Sequence, residues 1–214
     1  MPTPQKGYWL NGKRIPGTTT ILSRYKDSGG LIHWSWSLGM EGKDYREVKQ
    51  EAANAGTCCH AMVEAFVRGK PFDPSPYPVE ILAQAENGYS AFRRWADQSR
   101  LKPEKTELSL VSRRWKFGGT VDAIQIDGQI RVLDWKCANG VWPEYLLQLA
   151  AYGALYDENF PQTPVQGYDL VRFDKSEHAD FAHYSFTSLK DELAQFLLLR
   201  KAYEFDQKLK KRLR

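Results

Sequence analysis

The chain has 214 residues, 42% of them hydrophobic, which is enough for one well-buried domain. No run approaches the roughly 18 apolar residues of a membrane span, and residues 1–17 lack the apolar core of a secretory signal, so we expect neither membrane association nor secretion. The three cysteines cannot form a disulfide framework, and we therefore expect a reducing, cytoplasmic compartment.

The net charge of +4 at pH 7 is concentrated at the C-terminus, where seven basic residues stand against two acidic ones between positions 200 and 214. Two interpretations stay open for this segment. It could contact phosphates, or it could be a solvated helix end whose positive charges complement the helix dipole.

The first elements are short. Residues 8–15 predict a small hairpin around Asn11-Gly12. Thr18 or Thr19 is placed to cap a short helix that runs through Tyr25. Ser28 and the two glycines that follow it predict a loop.

Residues 31–40 contain His33, Trp34 and Trp36, and we predict a weak helix there. Aromatic side chains in such a glycine-flanked segment can stack on exposed nucleic-acid bases. They can also pack a small N-terminal subdomain, and this second interpretation is the one that we prefer.

Two long helices follow. Residues 43–68 place apolar side chains at spacings of three and four, and residues 79–98 do the same after a proline-rich connector. On the first of these helices His60 and Glu64 are four residues apart and share a face. A lone histidine on a helix is more often structural than a metal ligand, so this pattern alone assigns no role.

After Pro103 the pattern changes to strands. Residues 107–115 alternate loosely, and residues 120–126 and 130–136 form a predicted hairpin around Asp127-Gly128. A helix that starts at Pro143, two further strands and a final helix complete the chain, at residues 143–159, 165–173, 180–186 and from 189 onward.

This order of elements indicates the α/β (or α+β) class, with a mixed central sheet flanked by helices and a helical N-terminal elaboration. We expect one domain over residues 1–214. Its expected parts are a mainly helical segment at 1–103, a sheet core with the active site at 104–188 and a basic C-terminal helix at 189–214.

Charged residues are predicted at the ends of two adjacent, otherwise apolar strands. Asp134 and Lys136 share a face of the second strand with Val132, because side chains alternate along a strand. Asp122 shares a face with Ile126 in the first strand and can point to the same side. Buried charges are costly unless they are paired or bind a metal.

Two converging carboxylates are natural ligands for a hard cation such as Mg²⁺. Such an ion lowers the pKa of a bound water and neutralises phosphate charge, and a neighbouring lysine can stabilise the charge that develops on an attacked phosphate. Asp122, Asp134 and Lys136 therefore predict phosphodiester hydrolysis without a covalent nucleophile.

Gly119–Asp122, Asp134–Lys136 and Gln148–Tyr152 resemble the motifs Gly-x-x-Asp, Asp/Glu-x-Lys and Gln-x-x-x-Tyr of the PD-(D/E)XK nuclease superfamily. The likeness is to its RecB-like, phage-type exonuclease branch, and it implies a restriction-endonuclease-like fold. His60 is similar to the histidine on an upstream helix of that branch, and residues 15–22 resemble the N-terminal signature of its phage members.

The resemblance implies a metal bound by His60, Asp122, Asp134 and the Trp135 carbonyl, with Lys136 as the catalytic lysine beside the two aspartates. The ion is expected to be Mg²⁺ or Mn²⁺, because a histidine ligand adds preference for Mn²⁺.

The resemblance also implies that Gln148 and Tyr152, one turn apart, hold the substrate strand or an ordered water. An ordinary helix flank is the structural alternative for this pair. Glu107 and Glu64 are further acids that could lie near the metal, although surface salt bridges explain them equally well.

Two departures from the family pattern stand out. The residue before Asp122 is Val121, whereas other members of the superfamily have proline there. The absence of this proline is usual in the RecB-like branch. Several relatives carry an iron–sulfur cluster on four cysteines. This chain has three, with Cys58 and Cys59 adjacent, so we expect no iron–sulfur cluster.

We therefore expect a divalent-metal-dependent DNA exonuclease of phage type that acts in recombination or DNA processing on single- or double-stranded ends. Candidate partners are further copies of the chain and a single-strand annealing protein, in the cytoplasm of a bacterium or a phage-infected host. The alternatives are a structure-specific or restriction-like endonuclease of the same fold and a non-catalytic nucleic-acid-binding module.

Overall fold

The computed structural model of the protein describes residues 7–26, 28–99, 102–125 and 128–213. The strands in the described ranges are β1 (Tyr8–Leu10), β2 (Lys13–Ile15), β3 (Pro103–Ser112), β4 (Phe117–Gln125), β5 (Arg131–Cys137), β6 (Gly167–Phe173) and β7 (Phe181–Phe186). The helices are α1 (Thr18–Arg24), α2 (Gly29–Met40), α3 (Tyr45–Val67), α4 (Val79–Gln98), α5 (Pro143–Asn159) and α6 (Lys190–Arg212).

A five-stranded mixed sheet forms the centre of the fold, in the order β3-β4-β5-β6-β7. Strands β3, β4 and β5 pair antiparallel, β5 and β6 pair parallel, and β6 and β7 pair antiparallel. A parallel pair needs a crossover connection, and α5 supplies it between β5 and β6. The predicted mixed sheet flanked by helices is confirmed.

The sheet is covered by helices on both faces. One apolar cluster includes Val132 of β5 with residues of α1, α5 and α6. The other includes Leu133 and Trp135 of β5 with residues of α3 and α4. The predicted alternation of β5 is therefore confirmed, and it accounts for the continuous apolar character of a strand that is buried on both sides.

The N-terminal hairpin is confirmed as β1 and β2, with a turn in which Asn11 and Gly12 have φ values of 49° and 73°. The predicted threonine cap of α1 is wrong. Gly17 is the N-cap residue and has no side chain with which to cap the helix. Thr18 is the first residue of α1, and its hydroxyl donates to the Gly118 carbonyl at 3.0 Å. This bond ties α1 to the first residues of β4.

Several boundaries differ from prediction. Strand β3 starts at Pro103, not at residue 107. The predicted loop at Gly29 and Gly30 is the first turn of α2. Backbone N–H groups in a first turn have no partner within the helix, so glycine lowers helix stability less there than in the middle. Strand β3 ends at Ser112, not at residue 115, because the Arg113 and Arg114 N–H groups donate to the Glu158 carboxylate of α5 at 2.7 and 3.1 Å. Ile126, Asp127 and Arg214, which belonged to predicted elements, lie outside the described residues.

The aromatic segment at residues 31–40 packs only in part, since Trp34 is half-buried whereas His33 is exposed. Trp36 is 61% exposed, and Ile32 and Met40 are 64% and 72% exposed. Leu38 is the buried residue of α2 among those described. The packing interpretation is therefore wrong for Trp36.

Close contact at Gly88 of α4 holds α3 against the end of β5. A Cβ atom at this glycine would lie 2.6 Å from Cys137 Sγ and 2.9 Å from Cys59 Sγ. All three cysteines of the chain are free thiols. This contact between α3, α4 and the end of β5 places His60, the next residue after Cys59, beside the strand that carries Lys136.

The basic end of α6 has Lys210, Lys211 and Arg212 in its last turn. This placement fits charges that complement the helix dipole, and contact with phosphates stays a prediction. Within the described ranges, no helix has both the length and the apolarity that crossing a bilayer requires.

Candidate active site

Asp122 and Asp134 meet where strands β4 and β5 stop pairing. The ladder between the two strands reaches Ala123 and Leu133. One step further, the Trp135 N–H donates to Asp122 Oδ2 at 3.0 Å. The Asp122 carboxylate thus takes the place of the backbone carbonyl that accepts such an N–H in a regular ladder. Both aspartates are fully buried.

Lys136 is the positive partner of this pair. Its Nζ lies 2.6 Å from Asp134 Oδ2, as an ion pair without the geometry of a directed hydrogen bond. Burial lowers the pKa of Lys136, but the charges of Asp134 and Asp122 outweigh burial and raise it overall. The lysine is therefore an ammonium group at neutral pH.

The two carboxylates are short of positive charge. Burial raises the pKa of Asp122 well above its usual range, the Asp134 charge raises it further, and Lys136 opposes both. Burial also raises the pKa of Asp134, although Lys136 opposes it. One ammonium group thus serves two buried acids, which leaves the cluster one positive charge short when both acids are ionised.

Two oxygen atoms of this cluster, Asp122 Oδ1 and Asp134 Oδ2, are buried and accept no hydrogen bond. Asp122 Oδ1 has no partner and Asp134 Oδ2 has only the Lys136 ammonium, which is costly for buried carboxylate oxygens. Oxygen is the ligand that Mg²⁺ and Ca²⁺ prefer. Mg²⁺ is commonly held by one or two carboxylates while water and substrate phosphate complete its coordination. The residues therefore fit a divalent cation, although the described residues hold no group of three or more His, Cys, Asp or Glu side chains placed as metal ligands.

His60 lies on α3 beside Trp135 and Cys137, with which it lines a small hollow. Burial and, to a smaller extent, the Lys136 charge lower the pKa of His60 to about 3. Its ring is thus neutral at physiological pH, which is the form that binds metals. The structure brings Asp122 and Asp134 together and leaves His60 outside their immediate group, so ligation by His60 and by the Trp135 carbonyl stays a prediction.

Gln148 and Tyr152 of α5 face the same cluster and are buried. The Gln148 amide donates to Asp134 Oδ1 at 3.1 Å and to the Tyr152 hydroxyl at 2.8 Å. Each of its two N–H groups thus has an acceptor, and the amide fixes the Asp134 carboxylate. Their predicted contact with a substrate strand stays a prediction.

Gly119, the first residue of the Gly-x-x-Asp motif, has a packing reason to be glycine. A Cβ atom there would lie 2.7 Å from Tyr152 Cε1 and 3.0 Å from Thr18 Oγ1. The Tyr152 ring therefore rests on bare backbone of β4, three residues before Asp122. The first and third sequence motifs are joined by this contact.

Glu107 and Glu64 have different surroundings. Glu107 has a left-handed backbone, with φ of 53°, and the ladder pairs on either side of it place it opposite Asp122. Burial and then the Glu64 charge raise the pKa of Glu107. Glu64 itself is 2.6 Å from the Arg68 guanidinium, which supports the salt-bridge interpretation for Glu64.

Tyr145 is a residue of this site that the sequence analysis missed. It lies in the first turn of α5, and Lys136 Nζ is 5.0 Å from the centre of its ring, a cation–π contact. Tyr145, Gln148 and Tyr152 have the spacing i, i+3, i+7 of a single helix face. That spacing is the signal that could have identified Tyr145.

A sequence model of the PD-(D/E)XK nuclease superfamily matches residues 8–213, which is nearly the whole chain. The chain therefore belongs to the PD-(D/E)XK nuclease superfamily. A search of the curated proteins gives no match.

Solved structures to which the chain is similar include an alkaline exonuclease, LHK-Exo, from Laribacter hongkongensis, with 18% identity, 60% of this chain and 73% of that chain covered, and a TM-score of 0.38. LHK-Exo in complex with dAMP gives 16% identity, 76% and 97% coverage and a TM-score of 0.39. A candidate exonuclease from Eubacterium rectale gives 13% identity, 69% and 68% coverage and a TM-score of 0.47. Likenesses this distant assign no substrate to this chain.

The raised pKa of Asp122 predicts a pH-dependent cost to stability. The folded protein holds the proton of Asp122 to higher pH than the unfolded chain does, so ionisation above pH 4 destabilises the folded state. Asparagine at this position never ionises, and its amide oxygen can still accept the Trp135 N–H. We expect Asp122→Asn in EDTA to raise Tm at pH 8 by at least about 2 °C, with the gain vanishing as pH falls toward 4.

The control for this measurement is Asp73→Asn. Asp73 is exposed, and the Ser75 N–H lowers its pKa, so its removal should not raise Tm at pH 8. Thermal denaturation followed by circular dichroism at pH 4, 6 and 8 measures both variants. A lower Tm for Asp122→Asn than for the wild type at pH 8 contradicts an unfavourable buried charge.

Proposed function

We propose that this protein is a divalent-metal-dependent DNA exonuclease of the RecB-like phage type, acting in recombination or DNA processing. The observation that carries the proposal is a pair of buried carboxylates that share one ammonium group: Asp122 Oδ1 accepts no hydrogen bond, and Asp134 Oδ2 has only the Lys136 ammonium beside it. Membership of the nuclease superfamily supports it. The Gln-x-x-x-Tyr helix that resembles the RecB-like exonucleases supports the exonuclease assignment in particular.

In this proposal Asp122 and Asp134 would hold the Mg²⁺ or Mn²⁺ ion, with His60 and the Trp135 carbonyl as further ligands. When bound, the ion supplies an acidified water and neutralises phosphate charge. Because His60 is uncharged at neutral pH, it can serve as a ligand without first losing a proton.

The side chains around the aspartates have separate tasks. The Lys136 ammonium stabilises negative charge that develops on the phosphate, and the Tyr145 ring holds it on one side. Gln148 keeps Asp134 in one orientation, and the Tyr152 hydroxyl keeps the Gln148 amide in place. Because all of these side chains are packed rather than solvated, little reorganisation is needed during the reaction.

Catalysis by this cluster is tested with Asp134→Asn and Lys136→Met. We expect Asp134→Asn to abolish hydrolysis of linear DNA in the presence of Mg²⁺ or Mn²⁺. Lys136→Met should lower kcat by about 10²–10³ because it removes charge stabilisation in a dry site, while DNA affinity measured in EDTA changes little. Matched controls are Asp73→Asn and Lys190→Met, both at exposed positions, and wild-type kcat in both cluster variants would refute the site.

His60 is tested by its effect on metal binding. Imidazole favours Mn²⁺ over Mg²⁺ more than oxygen ligands do. Isothermal titration of His60→Gln should therefore show Mn²⁺ affinity reduced by about tenfold, a loss of about 1.4 kcal/mol, with a smaller change for Mg²⁺. The control is His178→Gln, whose side chain is exposed. Equal Mn²⁺ affinity in His60→Gln and wild type would remove His60 from the ligand set.

The endonuclease of the same fold is the remaining enzymatic alternative. An exonuclease needs a free end, so we expect linear DNA to be degraded to mononucleotides or short fragments while a covalently closed circle of the same sequence stays intact. Gel electrophoresis over one time course distinguishes the two. Cleavage of the closed circle at a comparable rate would replace the exonuclease assignment with an endonuclease one.

The non-catalytic alternative makes a different prediction for the same assays. A module that only binds nucleic acid gains nothing from two buried carboxylates that share one ammonium group, since such a cluster lowers stability. Absence of any Mn²⁺ binding in calorimetry, together with no hydrolysis of either substrate, would favour that alternative.

A further inference from the structure

Helix α2 presents an exposed stripe without charge. Ile32, Trp36 and Met40 follow one another at intervals of four, which places them along one face. They are 64%, 61% and 72% exposed. Residues 29–40 contain no Asp, Glu, Lys or Arg, so the stripe is apolar along its whole length.

Aromatic rings form the middle of the stripe. The His33 ring lies against the Trp36 indole, with ring centres 5.9 Å apart and an angle of 26° between their planes. This near-parallel arrangement enlarges the flat surface that the indole offers. Packing behind the stripe is slight, since Leu38 is the buried side chain that α2 contributes in the described part of the chain.

The segment before α2 is tied to the start of α5. Lys26, three residues before the start of α2, pairs with Glu144 at 2.6 Å. Glu144 is in the first turn of α5, next to Tyr145, which contacts Lys136. Three residues span at most about 11 Å, so α2 begins within that distance of Lys26, on the side of the molecule where α5 begins.

The chain also has to change layers in this region. Ile21 and Leu22 of α1 pack in the cluster that contains α5, whereas Cys59 and Val63 of α3 pack in the cluster on the opposite face of the sheet. Helix α2 lies in the segment that joins the two. The stripe therefore belongs to the connection between the two helix layers and follows α1, which packs in the cluster that contains α5.

The dimensions and chemistry of the stripe limit what can cover it. From Ile32 to Met40 it is about 12 Å long, which is too small for a stable dimer that buries roughly 800 Å² on each partner. A DNA duplex presents mainly phosphates, which an uncharged face does not attract. Unpaired bases spaced about 3.4 Å apart match its length with three or four nucleotides, and every base can stack on an aromatic ring.

We infer that the exposed face of α2, centred on Trp36, binds the unpaired bases of a single DNA strand whose backbone leads into the candidate active site. The inference rests on the proposed function for the identity of that strand as DNA. It specifies the substrate further, as single-stranded at the position where it reaches α2.

Binding is measured without cleavage, by fluorescence anisotropy in EDTA. The probes are a labelled oligothymidylate, an abasic oligonucleotide with the same sugar–phosphate backbone, and a blunt duplex. We expect Trp36→Ala to weaken oligothymidylate binding by about tenfold or more, since stacking contributes about 1–3 kcal/mol per base. Trp36→Phe keeps a ring and should lose much less.

The abasic probe and the duplex should bind Trp36→Ala and wild type alike. The matched control is Leu198→Ala on α6, which removes an apolar side chain that is 72% exposed, against 61% for Trp36, from another surface. Met40→Ser tests the same stripe independently, should Trp36→Ala fail to fold by circular dichroism. It should also weaken oligothymidylate binding and leave abasic binding unchanged.

Three results would overturn the inference: unchanged oligothymidylate affinity in Trp36→Ala, an equal loss for the abasic probe, or a dimer in sedimentation velocity that Trp36→Ala dissociates.

The test of base stacking at Trp36 is separate from the test of the proposed function. If Asp134→Asn still cleaves DNA, the proposed active site fails while base stacking at Trp36 is judged on its own data. If Asp134→Asn is inactive and Trp36→Ala binds normally, the stacking surface alone fails.

Discussion

A shortage of positive charge around two buried carboxylates governs this structure. Asp122 and Asp134 lie at the point where two strands separate, and Lys136 supplies one ammonium group to both. Separation of the strands leaves the Trp135 N–H without a ladder partner, and Asp122 accepts it. The end of the β4–β5 ladder thus brings the two aspartates together and orients the Asp122 carboxylate. A divalent cation would remove the shortage, which is why the cluster is best understood as an incomplete metal site.

One face of α5 supports this cluster from outside the sheet. Tyr145 contacts Lys136, and Gln148 binds both Asp134 and Tyr152. Gly119, which has no side chain, admits the Tyr152 ring. The sequence motifs are therefore parts of one packed unit. Strain at Glu107, which has a positive φ opposite Asp122, is of the kind that accumulates beside functional sites.

Local sequence patterns predicted the elements and the polar cluster, because side-chain alternation and helix periodicity depend on nearest neighbours. They failed where a distant residue decides the outcome. The end of β3 depends on Glu158 from α5, and the Thr18 hydroxyl donates to the distant Gly118 carbonyl. Exposure of Trp36 could not be predicted either, since an aromatic side chain at a helical spacing indicates core in most contexts. The packed structure leaves Trp36 61% exposed.

The central claim is that the buried carboxylates of Asp122 and Asp134, which share one ammonium group, bind a divalent cation. A crystal of the wild-type protein soaked in Mn²⁺, with anomalous diffraction recorded near the manganese absorption edge, tests it most directly. The account predicts an anomalous peak within coordination distance of both Asp122 Oδ1 and Asp134 Oδ2. Ordered Mn²⁺ elsewhere in the crystal, with no peak between these two oxygens, would contradict it.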